Sequence, residues 1–491
     1  MILFLTVSCY FPKATPEPSP TPPPPVADPF TAGWNDRSVY RPGLVPAAQP
    51  ILDALDGASI YRIKLDISDD FLHLNGVLDV RYTNQETMAL QEIHFRLFPN
   101  ILGGTMQISN LRVGDAIIDP RYSLANSVMI APLAETLDPG ESIVIQMDFT
   151  VTVPSSLDIN YGMFAYAEDV LTLAHSYPVI AVFDDDGWNE ELPPQYADIT
   201  FADASFYLVR VSVPRDVTLV TSGIEIARRE DGQDQVVTVA SGPARDFYLA
   251  ASPAYTIVSQ NFGDFTVRSF APPEFEEGSQ TAVEIAARAL EIFSARYTPY
   301  PYTELDIVAT PTRALGIEFP GAIVITSWVY DTSDPNIKNV FEATIAHEVG
   351  HQWFYNLIGN DQLDDPWLDE SLTQFATLQY FLDEYGTAGY DGYRSSLESR
   401  WARFEYAAIP IGLPVAEYQS VEYSAIVYGR GPLFFEALKE TMGAGPFDSF
   451  LREYATSISW EISTPETLRV LAEANCACDL SILFNEWVYR K

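Results

Sequence analysis

The sequence predicts a multidomain protein in which an N-terminal all-β domain is followed by an α+β domain. Three observations carry that prediction. Short alternating apolar runs fill residues 50–255, helical periodicity takes over at 256, and 491 residues exceed what one core accommodates. A hydrophobic content of 47%, with 13% aromatic residues, belongs to a chain that folds.

At the N-terminus, Met1 to Ser8 form an apolar run closed by a small residue ahead of Cys9. Residues 1–11 therefore read as the end of a lipoprotein signal, with Cys9 the lipidated first residue of the mature chain. No Lys or Arg precedes the run and Thr6 interrupts it, so a mis-set start and a chance apolar terminus are the competing readings. Residues 12–49 read as a spacer, because Pro12, Pro16, Pro18, Pro20, Pro22 to Pro25 and Pro29 favour extended polyproline II. Together these segments predict an exported protein, either held at a bacterial cell surface by its lipid or extracellular.

Within 50–255, Ile60 to Ile67, Val77 to Tyr82, Ile143 to Phe149 and Phe206 to Val213 alternate apolar with polar positions and are rich in β-branched and aromatic residues, as strands are. Asp184-Asp185-Asp186-Gly187 reads as a solvated turn, with calcium binding the alternative. Within 256–491, Val283, Ala286, Ala287, Leu290 and Phe293 mark an amphipathic helix over 280–297. Helical patterns recur over 340–357, 371–384 and 432–441, and two short strands, 305–309 and 322–326, lie between the first two helices. Helices and a small sheet so segregated make an α+β domain. Cys476 and Cys478 stand one residue apart and reveal no disulfide framework.

Sixty-seven acidic against 28 basic residues give a net charge of -39. Such a field repels nucleic acid and an anionic leaflet, and excludes both as partners except through a lipid at Cys9. It attracts cations, of which a peptide's free amino terminus is one.

His347-Glu348-Val349-Gly350-His351 lies in a helical pattern. A spacing of i, i+4 puts both imidazoles on one face, where they converge on one ion, and Glu348 between them is a candidate general base. Residues 352–369 separate His351 from Glu370, which opens the next helical run. A carboxylate from there completes a His₂Glu set and leaves a fourth position for water, the pattern of catalytic rather than structural zinc. His73, His94 and His175 fall among the predicted strands, where structural roles are expected.

These residues resemble the aminopeptidase N family of gluzincin metallopeptidases. His351-Gln-Trp-Phe-Tyr-Asn356 is similar to the family's H-x-W-F-G-N, and Trp367-Leu-Asp-Glu-Ser371 to its W-L-N-E-G. Leu315-Gly-Ile-Glu-Phe-Pro-Gly321 resembles its G-A-M-E-N-x-G loop, and Val427-Tyr-Gly-Arg-Gly431 its V-Y-x-K-G. The resemblance implies a saddle-like β-sandwich before a thermolysin-like catalytic domain, and one zinc ion on His347, His351 and Glu370. It implies hydrolysis of the N-terminal residue of peptides with a free amino terminus. Glu318 falls on the glutamate that holds that amine, with Gly316 beside it in the substrate loop, and Tyr428 on the tyrosine that stabilises the oxyanion. Tyr423 is a second candidate for that role, and His175 falls where the family's first domain points toward the amine.

Phe319 replaces the loop's asparagine and Leu315 its first glycine, which puts backbone contacts to substrate in doubt, while Asp369 and Ser371 flank an unchanged ligand. The resemblance also implies that the family's C-terminal helical domain is missing and the site more open. A gluzincin endopeptidase, or a non-catalytic surface binding protein on the same scaffold, are the competing readings.

Overall fold

In the computed structural model, which describes residues 28–489, the predicted alternation becomes sheet. The strand His73–Thr83 buries Leu74, Leu78, Val80 and Tyr82 and turns His73, Asn75 and Val77 outward, so one face is core and the other water. Its neighbour Ser142–Thr152 pairs in a register that sets Leu78 against Met147 and Val80 against Ile145. A slip of one residue would expose all four.

These strands sit near the middle of an eight-stranded sheet. The sheet is antiparallel except where Ile60–Ile67 runs parallel to Ser205–Pro214, with Ile63 opposite Val209. A parallel pair needs a long crossover. Here the crossover contains all of one four-stranded sheet and two strands of another, among them Leu90–Arg96, Val128–Leu137 and Val170–Leu173, which pack on the first sheet around Phe95, Phe149 and Phe164. Asp184 and Gly187 pair across a hairpin turn in which the Asp186 N–H donates to Asp184 Oδ1 at 2.9 Å.

The second half is built on a five-stranded sheet. Thr266–Ala271, Glu304–Thr310 and Ala322–Thr326 run parallel, and Gly316–Phe319 pairs antiparallel along the outer edge. Helix Glu276–Arg296 packs on it with Val283, Ala286, Ala287, Leu290 and Phe293 buried, the stripe read from the sequence. Helix Pro335–Gly350 follows, and its N-cap Asp334 accepts from the Asn336 N–H at 2.8 Å. The predicted helix over 340–357 stops at Gly350, because the chain peels away to let the Asn356 N–H bond to His351 O at 3.1 Å. Helix Glu370–Ala402 is broken at Gly386, whose φ of 66° and ψ of −155° suit a residue without a Cβ. Four shorter helices, beginning with Gly431–Met442, complete the half, and Cys476 is disulfide-bonded to Cys478. Among the described residues no helix is long and apolar enough to cross a membrane.

The halves are tied together by Arg245, which is 2% exposed. Its guanidinium donates to Ala202 O at 3.0 Å, to Tyr355 O at 2.8 Å and to Glu461 O at 2.7 Å. Three carbonyls answer a charge that would otherwise be costly to bury. One expectation is corrected. The spacer read through residue 49 ends earlier, because Trp34 begins the large compact unit and Tyr40 and Leu44 are buried, with the Val45 N–H on Pro301 O at 3.0 Å. Proline dominates the segment only to Pro29; beyond it the apolar side chains have a core to join. Residues 1–27, with Cys9, lie outside the described residues.

Candidate active site

The helix Pro335–Gly350 carries His347 on its last turn and hands His351 to its C-cap, stacking the two rings edge to face with centroids 4.6 Å apart. Their Nε2 atoms are 3.1 Å from each other. Asp369 caps the next helix, accepting from the Glu370 N–H at 2.8 Å, and so aims the Glu370 carboxylate back at the pair. Glu370 Oε2 lies 3.2 Å from His347 Nε2 and 3.6 Å from His351 Nε2. Ligands about 2.0–2.1 Å from a tetrahedral zinc stand roughly 3.3 Å apart, which is this spacing.

The surroundings fit a cation as well. His351 Nδ1 is 2.9 Å from Phe354 O, an acceptor, so that nitrogen carries the proton and Nε2 offers its lone pair. Burial lowers His347 to about 4, so it is neutral. Burial opposes charge on His351 too, yet the carboxylates of Glu318, Glu370 and Glu348 outweigh it and draw its pKa well up. Glu370 Oε2 and Glu348 Oε2 are buried with no hydrogen-bond partner among the described residues. A divalent cation at the three ligand atoms would satisfy this surplus of negative charge.

Glu348 is 4% exposed, and burial followed by its neighbour Glu318 pushes its pKa well above the carboxylate range. The edge strand Gly316–Phe319 runs behind it. A Cβ on Gly316 would fall 2.3 Å from Glu348 Oε1, so Gly316 matters for the room it leaves that carboxylate. Glu318, two residues on, accepts from Gln362 Nε2 at 3.0 Å. Gln362 also donates to Asp369 Oδ2 at 2.8 Å and accepts from the Thr200 N–H at 2.9 Å, fastening the site to the β-half.

Tyr428 lies on a π-helical turn, Ile426–Arg430. Such wide turns often mark functional positions. Ser371 Oγ donates to Val427 O at 2.6 Å and pins the turn to the ligand helix. The Tyr428 hydroxyl donates to Glu370 Oε1 at 2.5 Å, and burial raises its pKa well above the ordinary value. Tyr423 packs edge to face on Tyr428 at 5.6 Å.

His347, Glu348, Glu370, Glu318, Gly316, Tyr423 and Tyr428 line one cavity of about 1160 Å³, and His351 does not. The structure thus brings together His347, His351, Glu348, Glu370, Glu318, Gly316 and Tyr428. It does not bring His175. That residue is 3% exposed and lies outside the cavity wall, its Nε2 3.1 Å from Thr200 Oγ1, and reaches Glu318 only through Thr200 and Gln362. Sequence reasoning missed Asp198, which enters the cavity from the β-half. Burial and the nearby Glu318 and Glu370 carboxylates raise its pKa well up. A lone aspartate in Ala197-Asp-Ile-Thr200 carries no signal that could have found it.

His175 has a different partner, Asp246 Oδ2 at 3.9 Å. Burial lowers His175 from 6.5 to about 4, with Arg96 adding to the effect, and raises Asp246 from 3.8 to about 8. Asp246 is then protonated in the folded state at neutral pH. Its contribution to stability is full below about pH 4 and is lost as pH rises through about 8. The depressed His175 works oppositely, contributing above about 6.5 and losing that as pH falls through about 4. Asp246→Asn is therefore expected to gain on the wild type as pH rises, by up to about 1.4 kcal/mol per pH unit until about pH 8. Denaturant melts of both proteins at pH 5, 6.5 and 8 measure this, and a pH-independent gap contradicts it.

Comparison with known proteins points to one family. Residues 281–487 match the peptidase family M1 domain. Aminopeptidase M1 of Arabidopsis thaliana is 24% identical over 311 residues, 58% of this chain and 34% of its own length. Probable aminopeptidase 2 of Sulfurisphaera tokodaii is 23% identical over 64% of this chain and 41% of its own. The chain thus spans about a third to two-fifths of these curated relatives. Among solved structures, an M1 zinc metallopeptidase from Deinococcus radiodurans superposes with a TM-score of 0.68 at 18% identity, covering 88% of this chain and 93% of that one. A mutant of it bound to a Tyr-Ser-Ala substrate gives a TM-score of 0.65 at 18% identity, with the same coverage.

Proposed function

We propose that this chain, whose residues 281–487 match the peptidase family M1 domain, is an M1 zinc aminopeptidase releasing the N-terminal residue of peptides. The observation that carries the reading is the pair of carboxylates, Glu318 and Asp198, lining the same cavity as the metal-ligand triad. Two acids in one site either hold a proton, the direction in which Asp198 is pushed, or share a cation between them. A substrate's α-ammonium is such a cation, and holding it there fixes cleavage one residue from the N-terminus. An endopeptidase has no use for that charge.

His347, His351 and Glu370 would hold one zinc ion. When bound, zinc supplies a Lewis acid that polarises a carbonyl and acidifies water. Glu348 accepts the proton of the attacking water and passes it to the leaving amine. Tyr428 swings its hydroxyl from Glu370 to the oxyanion of the tetrahedral intermediate. The Tyr-Ser-Ala complex of the Deinococcus protein supports a peptide substrate. We further propose export, which the Cys476–Cys478 disulfide supports, since disulfides persist in oxidising compartments. Anchoring through Cys9 belongs to the same proposal.

Kinetics on leucine p-nitroanilide and its N-acetyl derivative, before and after chelation, test the reading. Turnover of the free amine is expected to vanish with chelation and return with one equivalent of zinc. The acetylated substrate is expected to be cleaved at least about 100-fold more slowly, given the cost of leaving buried charges unpaired. Equal turnover of the two sinks the assignment.

A further inference from the structure

Part of the cavity wall is formed by one stripe of the helix that follows the break at Gly386. Gly389, Tyr393, Ser396 and Arg400 recur on it at helical spacing. Arg400 ends the stripe beside the catalytic centre, its guanidinium over the Tyr428 ring at 5.5 Å. Six residues earlier Arg394 is paired with Glu398 at 2.6 Å and Glu436 at 3.0 Å. Arg400, half-buried, makes no side-chain hydrogen bond or ion pair among the described residues. In a chain of 67 acidic and 28 basic side chains, that is a conspicuous place for a cation without an anion. Lys338 is the other Lys or Arg on the cavity wall, and it is exposed.

The site has two charged poles, Glu318 and Arg400, lining one cavity. Glu318 groups with His351 and Glu348, their ligand atoms within 4.8 Å of one another, while the charge of Arg400 is felt by His347. A peptide whose amine sits at Glu318 extends within the cavity that Arg400 also lines. Each further residue of extended chain spans about 3.3–3.6 Å. The guanidinium lies 5.5 Å from the centre of the Tyr428 ring, so a group it meets lies a short extended segment from the catalytic centre.

We propose that Arg400 binds the C-terminal carboxylate of the substrate, so that this protein prefers dipeptides and tripeptides with a free C-terminus. A guanidinium fork matches a carboxylate with two parallel hydrogen bonds, and the pairing supplies the anion that the chain itself does not. Small peptides then satisfy both poles at once, and longer ones only the first. The inference rests on the aminopeptidase reading.

The test compares kcat/KM for Leu-Ala and its C-terminal amide in the wild type, Arg400→Ala, Arg400→Gln and Lys338→Ala. The wild type is expected to favour the free acid about 10–100-fold, mostly through KM, the range for a hydrogen-bonded charge. In both Arg400 variants that ratio is expected to fall toward one, and in Lys338→Ala to persist. A wild type indifferent to amidation overturns the proposal without needing any variant. A preference that survives loss of Arg400, or that Lys338→Ala abolishes equally, overturns it too. Leucine p-nitroanilide and its N-acetyl derivative, run alongside, show separately whether the aminopeptidase reading itself has failed.

Discussion

Glu348→Gln is expected to lower kcat by about 10²–10⁴, the contribution of a positioned proton acceptor, while zinc content stays at the wild-type level. The separation of the two outcomes follows from geometry. The atoms that meet at the ion are His347 Nε2, His351 Nε2 and Glu370 Oε2, and Glu348 is not among them. Glutamine keeps the shape that the Gly316 backbone leaves for this side chain but takes no proton from water. Steady-state kinetics together with metal analysis of the purified variant check the prediction. A variant with full zinc that keeps a tenth of the activity would remove Glu348 from the role of base.

The zinc triad was legible in the sequence because its members are close in chain order. One helical turn sets His347 and His351, and the next helix supplies Glu370. The alternating strands were legible for the same local reason. What escaped depends on contacts across the fold. Asp198 and Gln362 reach the site from segments with no periodic pattern, and Arg400 gains its position from a break at Gly386 that the apolar pattern over 371–384 does not foretell. His175 is the opposite case. A family position suggested a ligand-facing residue, but this chain spends it on Thr200 and Asp246 inside the β-half. The adjacent cysteines gave no connectivity by spacing alone, yet the turn through Ala477 joins them.

Tyr428→Phe is expected to reduce kcat by about 10²–10³, some 2.7–4 kcal/mol of transition-state stabilisation, with little change in KM. The hydroxyl in this structure donates to Glu370 Oε1, so its removal also touches a metal ligand. A loss that worked through the ligand would appear as weaker zinc binding and be repaired by added zinc. A loss of oxyanion stabilisation would persist in saturating zinc and fall on kcat. Tyr423 supplies the control. Its ring packs edge to face on Tyr428, but among the described residues its hydroxyl does not reach the ligand carboxylate that Tyr428 bonds, and an oxyanion donor must come from the side chain beside that carboxylate. Tyr423→Phe should therefore cost less than about tenfold, well short of a lost oxyanion donor. Should it instead cost as much as Tyr428→Phe, the donor would be Tyr423, with Tyr428 holding Glu370 in place for the metal.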